Sequence, residues 1–174
     1  MVTLRCTLKL LNYLAIRPVS EPIPSTGRLG DWYANLVPTD ASDLIVFVNE
    51  KSLVTVAVPA WEAKNLVSHF RARVQNLLEL LGVSIESIRS EISHYKQVQF
   101  AKTASRSVLG SMNDIAWNYQ FVAEGGDDSG YLSLSDAEYK LSNMPSIARN
   151  IFPSDAAKEL LEPKGLPKMN HSGT

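Results

Sequence analysis

The chain carries one cysteine, no histidine–cysteine spacing suited to zinc, no phosphate-binding glycine pattern and no apolar run of membrane length. Each absence removes a class of function. Cys6 alone cannot build an internal disulfide framework, fits a reducing compartment, and reads as a small buried hydrophobe early in the fold rather than a nucleophile. His69, His94 and His171 are far apart in the chain, so no metal site is expected, and Asp127 with Asp128 is too few carboxylates for a calcium loop. Neither a Walker loop, a dinucleotide fingerprint nor a Gly-x-Ser-x-Gly elbow occurs, and no cofactor is expected. The longest purely aliphatic or aromatic run is 44–48, far short of the roughly 20 residues a membrane helix needs. Arg5 and Lys9 interrupt the apolar N-terminus, so an export signal is not expected there either. The formal net charge of −1 provides no global positive field, so any affinity for nucleic acid must come from a local cluster.

With 174 residues, 45% hydrophobic and 20% charged, the chain has the composition of one globular domain with a sizeable core. Residues 2–7 read as a short strand and a helical turn follows, ending before Pro18. Pro18, Pro22, Pro24 and Gly27 then make 17–30 a loop. Three strands follow at 32–37, 44–48 and 53–58, with turn residues between them. Leu66, Phe70, Val74, Leu77, Leu78 and Leu81 share one helical face, Gly82 stops that helix, and Ser84 caps a second one with Ile85, Ile88, Ile92 and Tyr95 on its apolar side. Another strand covers 98–101, and Ser105 or Ser107 opens a helix with Val108, Met112, Ile115, Ala116 and Tyr119 inward. The predicted fold is α+β: a small, mainly antiparallel sheet of four to five strands covered by a helical hairpin and a further helix. Residues 1–123 form the main domain, 124–134 a flexible connector, 135–162 a helical extension and 163–174 a disordered tail. Ser135 is the predicted cap of the extension, with Glu138 in the capping-box position.

Two segments concentrate chemistry. In Lys102-Thr103-Ala104-Ser105-Arg106-Ser107, cations and hydroxyls gather where a strand feeds a helix, which suits phosphate or carboxylate. The plainer reading makes Ser105 or Ser107 a cap and pairs Arg106 with a carboxylate. In Arg28-Leu29-Gly30-Asp31-Trp32-Tyr33-Ala34-Asn35, extended geometry sets Asp31, Tyr33 and Asn35 on one face, where they can line a pocket wall. A structural reading instead gives Gly30 to the backbone, Trp32 to the core and Asp31 to a bond with Arg28. Asn49 and Glu50 end the central strand, where they serve a turn or a site. The candidate ligand-binding set is therefore Arg28, Asp31, Asn49, Glu50, Lys102, Thr103, Ser105, Arg106 and Ser107.

The stretches Arg28-Leu29-Gly30-Asp31-Trp32-Tyr33-Ala34-Asn35-Leu36, Phe47-Val48-Asn49-Glu50-Lys51-Ser52-Leu53 and Lys102 to Asp114, with the opening Leu4-Arg5-Cys6-Thr7, resemble a family of uncharacterised prokaryotic proteins known only as a domain of unknown function. The likeness runs from about residue 4 to 123. It implies a bacterial or archaeal cytoplasmic origin and a place among accessory genes of mobile elements, and it supplies no catalytic residues. Three readings follow. The first is a binding module holding a nucleotide or nucleic-acid phosphate at 102–107. The second is a hydrolase or nuclease in which Asp31 or Glu50 works with Lys102 or Arg106 in one cleft. The third is a regulatory or antitoxin-like subunit that meets a protein partner through helices of 135–161. Oligomeric state stays open.

Overall fold

A computed structural model describes residues 1–123 and 133–163. In chain order it contains β1 (Val2–Cys6), α1 (Leu8–Leu14), β2 (Trp32–Val37), β3 (Leu44–Asn49), β4 (Thr55–Pro59), α2 (Leu66–Leu80), α3 (Ile85–Ser93), β5 (Val98–Lys102), α4 (Arg106–Ala123), α5 (Leu134–Ser142) and α6 (Pro153–Leu161). Short 3-10 turns at Ala60–Asn65 and His94–Lys96 lead into α2 and β5. This is the α+β fold read from the sequence.

The five strands lie in the order β4-β3-β2-β1-β5. The three apolar runs of 32–59 form an antiparallel meander, with Tyr33 opposite Val48 and Phe47 opposite Val56. Beside it β1 runs parallel to both β2 and β5, setting Arg5 between Tyr33 and Ala101. The sheet is thus antiparallel on one side and parallel on the other. Strand periodicity sends Leu4, Cys6, Trp32, Ala34, Ile45 and Phe47 to one face, where α1, α2 and α3 cover them. Phe70 sits at the centre of that core, stacked on Phe47 at 4.4 Å and edge-on to Trp32 at 5.3 Å. The opposite face of β2, β3 and β4 carries Tyr33, Val46, Val48 and Ala57 beneath α4 and α5.

The hairpin of α2 and α3 follows the predicted stripe, with Leu66, Phe70, Val74, Leu77 and Leu78 buried on α2 and Ser84 accepting from the Ser87 amide. Ser105 opens α4, since its Oγ accepts from the Val108 amide at 3.3 Å. The start of α5 differs from the sequence reading. Ser133 is the cap and Asp136 closes the capping box, because that register turns Glu138 inward instead of leaving it in the first turn's solvent-facing box position. Helices α5 and α6 pack into the two cores, Ala137 and Leu141 into the second and Ala157 and Leu161 into the first. The expected connector 124–134 and tail 163–174 lie almost wholly outside the described residues, as does His171.

Candidate anion site

On the parallel side, the sheet face turned toward α4 is polar rather than apolar. Thr3 and Arg5 alternate along β1, and Asp31 precedes β2 beside them. Among the described residues no helix covers this part; the proline-rich loop does. Val19 pairs with the edge of β5, its amide donating to the Phe100 carbonyl at 2.8 Å. Further on, Thr3 Oγ1 donates to the Ile23 carbonyl at 2.9 Å, and the Gln99 side-chain amide bridges the Ile23 carbonyl and Thr3 Oγ1. Proline supplies no amide donors, so side chains of the sheet complete this crossing.

Under the loop lies a partly buried pair. Arg5 Nε donates to Asp31 Oδ2 at 2.7 Å, Ser25 Oγ donates to Asp31 Oδ1 at 2.6 Å, and Ser25 Oγ accepts from the Thr3 amide at 2.8 Å. Both carboxylate oxygens are therefore engaged, and the partner of Asp31 is Arg5 rather than Arg28. Parallel pairing explains the choice: it sets β1 directly beside β2, whereas Arg28 turns outward and donates to the Leu161 carbonyl at 3.4 Å. Next to Arg5, the Tyr33 hydroxyl accepts from the Ser105 amide at 3.1 Å. Burial, seconded by the negative charge of Glu50, raises the Tyr33 phenol above its ordinary pKa, while the Ser105 amide and Arg5 act in the opposite direction. The phenol stays neutral there.

Beyond this pair, at the C-terminal ends of β1 and β5, opens a cavity of about 600 Å³. Arg5, Arg17 and Lys102 supply its charge, Ser20 and Thr103 its hydroxyls, and Pro18, Val19 and Pro22 an apolar wall; among the described residues no carboxylate lines it. Arg5 is anchored by Asp31 and by the Lys102 carbonyl at 3.4 Å. Arg17 and Lys102 are exposed, and neither side chain has a hydrogen-bond or ion-pair partner among the described residues. Crevices at the carboxyl ends of parallel strands are habitual ligand sites in open sheets, and two cations, Arg17 and Lys102, gathered beside Arg5 without counter-charges of their own among the described residues favour an incoming anion.

The nine residues singled out from the sequence do not share one cleft. Lys102 and Thr103 line the cavity, and Asp31 fixes its Arg5. Ser105 caps α4 and meets Tyr33; Arg106 is exposed without a partner among the described residues; Ser107 lends its carbonyl to Ser111. Asn49 is spent on structure. Its side-chain amide donates to the Leu29 and Asp31 carbonyls, and its Oδ1 accepts from the Ser52 amide and hydroxyl, holding the turn in which Leu53 takes φ 65°. Glu50 continues the same turn, its carbonyl accepting from Arg149 at 2.7 Å. The Arg28 and Leu29 amides donate to the buried Glu91 carboxylate at 2.7 and 3.3 Å. A side chain on Gly27 would collide with that carboxylate, so this close approach requires glycine.

Sequence reasoning missed Arg5, Arg17, Ser25 and Glu91. Arg5 had a signal: a cation inside an otherwise apolar strand, in step with Thr3 and Thr7. Sequence reasoning set Glu138 in a capping box, whereas the structure buries it. That carboxylate is fully buried at the outer edge of β4, where Oε1 accepts from the Ala57 amide at 2.8 Å and from Arg73 Nε at 2.9 Å, and Oε2 meets Arg73 Nη2 at 2.7 Å. Burial raises its pKa to about 7, with Arg73 and the Ala57 amide holding it from going higher. Burial likewise lifts the Cys6 thiol to about 12, which agrees with its reading as an inert core residue. Among the described residues no group of three or more His, Cys, Asp or Glu side chains is placed to share a metal ion, and no helix is long and apolar enough to cross a membrane.

A family profile described as a domain of unknown function, DUF6933, matches residues 3–156. The chain belongs to that family, and the match extends past 123 through α5 into α6. Comparison with curated proteins and with solved structures finds no match.

Proposed function

We propose that this member of DUF6933 is a binding module for a phosphate-bearing ligand, a nucleotide or a nucleic-acid phosphate, held at the C-terminal ends of β1 and β5. The observation that carries the reading is the cavity in which Arg5, Arg17 and Lys102 converge with no lining carboxylate among the described residues. An arginine held in place by a buried carboxylate presents its remaining donors in a fixed geometry, which suits the fork-like recognition of phosphate oxygens. Its size, about 600 Å³, falls within the roughly 300–1,000 Å³ of small-molecule sites. Thr103 and Ser20 add hydroxyl donors. Compared with the sequence-based site, the ligand moves from the start of α4 toward the proline-rich loop. Hydrolysis is the weaker reading, because both Asp31 oxygens are already engaged. The prokaryotic, cytoplasmic setting and the place among mobile-element accessory genes implied by the resemblance belong to this proposal; the lone buried thiol suits a reducing compartment.

A thermal-shift series with ATP, inorganic phosphate and a short oligonucleotide tests it. At a ligand concentration near a hundred times Kd, binding contributes about 2.7 kcal/mol, which for a chain of this length raises Tm by about 5 °C or more. The rise is expected to shrink with added salt and to vanish in Arg17→Ala and Lys102→Ala. No shift with any of the three, or a shift unchanged in both variants, would contradict the reading.

A further inference from the structure

We propose that the groove between α2 and α3, on the opposite side of the sheet, is a docking surface for an acidic amphipathic helix of a protein partner. The groove encloses about 820 Å³. Its floor is the stripe Ile85, Ile88 and Ile92, spaced i, i+3 and i+7; Ile88 and Ile92 are nearly buried, but Ile85 is 66% exposed at the rim. Burying such an aliphatic side chain against a partner is favourable.

Charge identifies the occupant. Arg71 flanks the stripe from α2, and Arg89 and Lys96 flank it from α3 and the turn after it. None of these three side chains has a hydrogen-bond or ion-pair partner among the described residues. The one carboxylate lining the groove, Glu79, already accepts from the Gln75 amide at 3.0 Å. A chain of net charge −1 has therefore collected cations around an apolar strip. From Ile85 to Lys96 the ridge rises about 16 Å, or three turns. A partner helix of that length, with apolar residues one turn apart and carboxylates beside them, satisfies both floor and rim. Nucleic acid fits less well, since among the described residues no aromatic ring lines the groove to stack on a base.

The test uses a fluorescein-labelled synthetic peptide about four turns long, with leucine at i, i+3, i+7 and i+10 and glutamate on the flanks. A control peptide replaces each glutamate with lysine, and a labelled single-stranded oligonucleotide forms a third arm. Fluorescence anisotropy on the full chain is expected to show the acidic peptide bound, the lysine peptide at least about tenfold weaker, and binding reduced about tenfold in Ile85→Asp and Arg89→Glu. Both positions are exposed, and circular dichroism of the variants verifies that they fold. Absence of binding by the acidic peptide, equal binding of the lysine peptide, or insensitivity to both substitutions overturns the proposal. Tighter binding of the oligonucleotide, lost in Arg89→Glu, overturns it in favour of a phosphate-binding surface.

Discussion

The two edges of the sheet meet the same problem in opposite ways. At the β4 edge, α5 covers the strand and Glu138 takes the outward-facing Ala57 amide, while Arg73 pairs with the carboxylate. Glu138 and Arg73 are each other's partners, and the arrangement is closed. At the β5 edge a proline-rich loop covers the strand, Arg5 is anchored by Asp31, and Arg17 and Lys102 stand in an open cavity without counter-charges among the described residues. An ion pair on a buried carboxylate holds a helix on an edge strand; exposed cations without partners among the described residues are disposed toward a ligand. Charge content alone does not separate the two. Satisfaction does.

The contrast can be broken first at the closed edge. Glu138→Ala leaves Arg73 and the Ala57 amide unpaired, and urea denaturation at neutral pH is expected to show a loss of about 3–5 kcal/mol. The pH dependence sharpens the point. A carboxyl whose pKa is raised from 4.5 to about 7 in the folded state contributes stability that is fully present below 4.5 and is lost as pH rises through 7. Stability measured from pH 4.5 to 8 should therefore decline by on the order of 3 kcal/mol from this group, and Glu138→Gln should flatten the decline. A wild-type profile that rises across this window would mean that the Arg73 contact outweighs burial.

Asn49→Ala removes five side-chain hydrogen bonds from the turn that holds Leu53 at positive φ, and about 2–3 kcal/mol should be lost in the same denaturation assay. Arg5→Ala strips Asp31 of its cation, with an expected cost of about 1.5–3 kcal/mol. Arg17→Ala and Lys102→Ala are surface changes and should alter stability by less than about 0.5 kcal/mol while removing ligand-induced stabilisation. A large intrinsic loss in either would show that these cations are structural.

Much of the fold is legible in the sequence because periodicity reports burial directly. The stripe from Leu66 to Leu81 and the run Leu44-Ile45-Val46-Phe47-Val48 have few alternatives once amphipathic period and length are counted. The cap of α5 is less legible, since Ser133 with Asp136 and Ser135 with Glu138 both satisfy the local pattern, and only the need of β4 for an edge partner decides between them. The site was half visible. Lys102 and Thr103 stand out as a local cluster, but the cavity owes its other cations to Arg5 and Arg17, which parallel pairing of β1 with β5 and the bridge from Val19 to Ala101 bring together from distant positions. Asn49 illustrates the reverse. Its place at a strand end suits a site, and its full set of backbone partners becomes apparent only when the Leu29 and Asp31 carbonyls are seen to converge on it.

The most direct test is an amide chemical-shift titration of the isotopically labelled chain with ATP. The β5-edge site predicts saturable shifts confined to the amides around Val19, Ser20 and 101–105, suppressed in Lys102→Ala. Shifts centred on α2 and α3 instead, or no saturable shift at millimolar ATP, would contradict it.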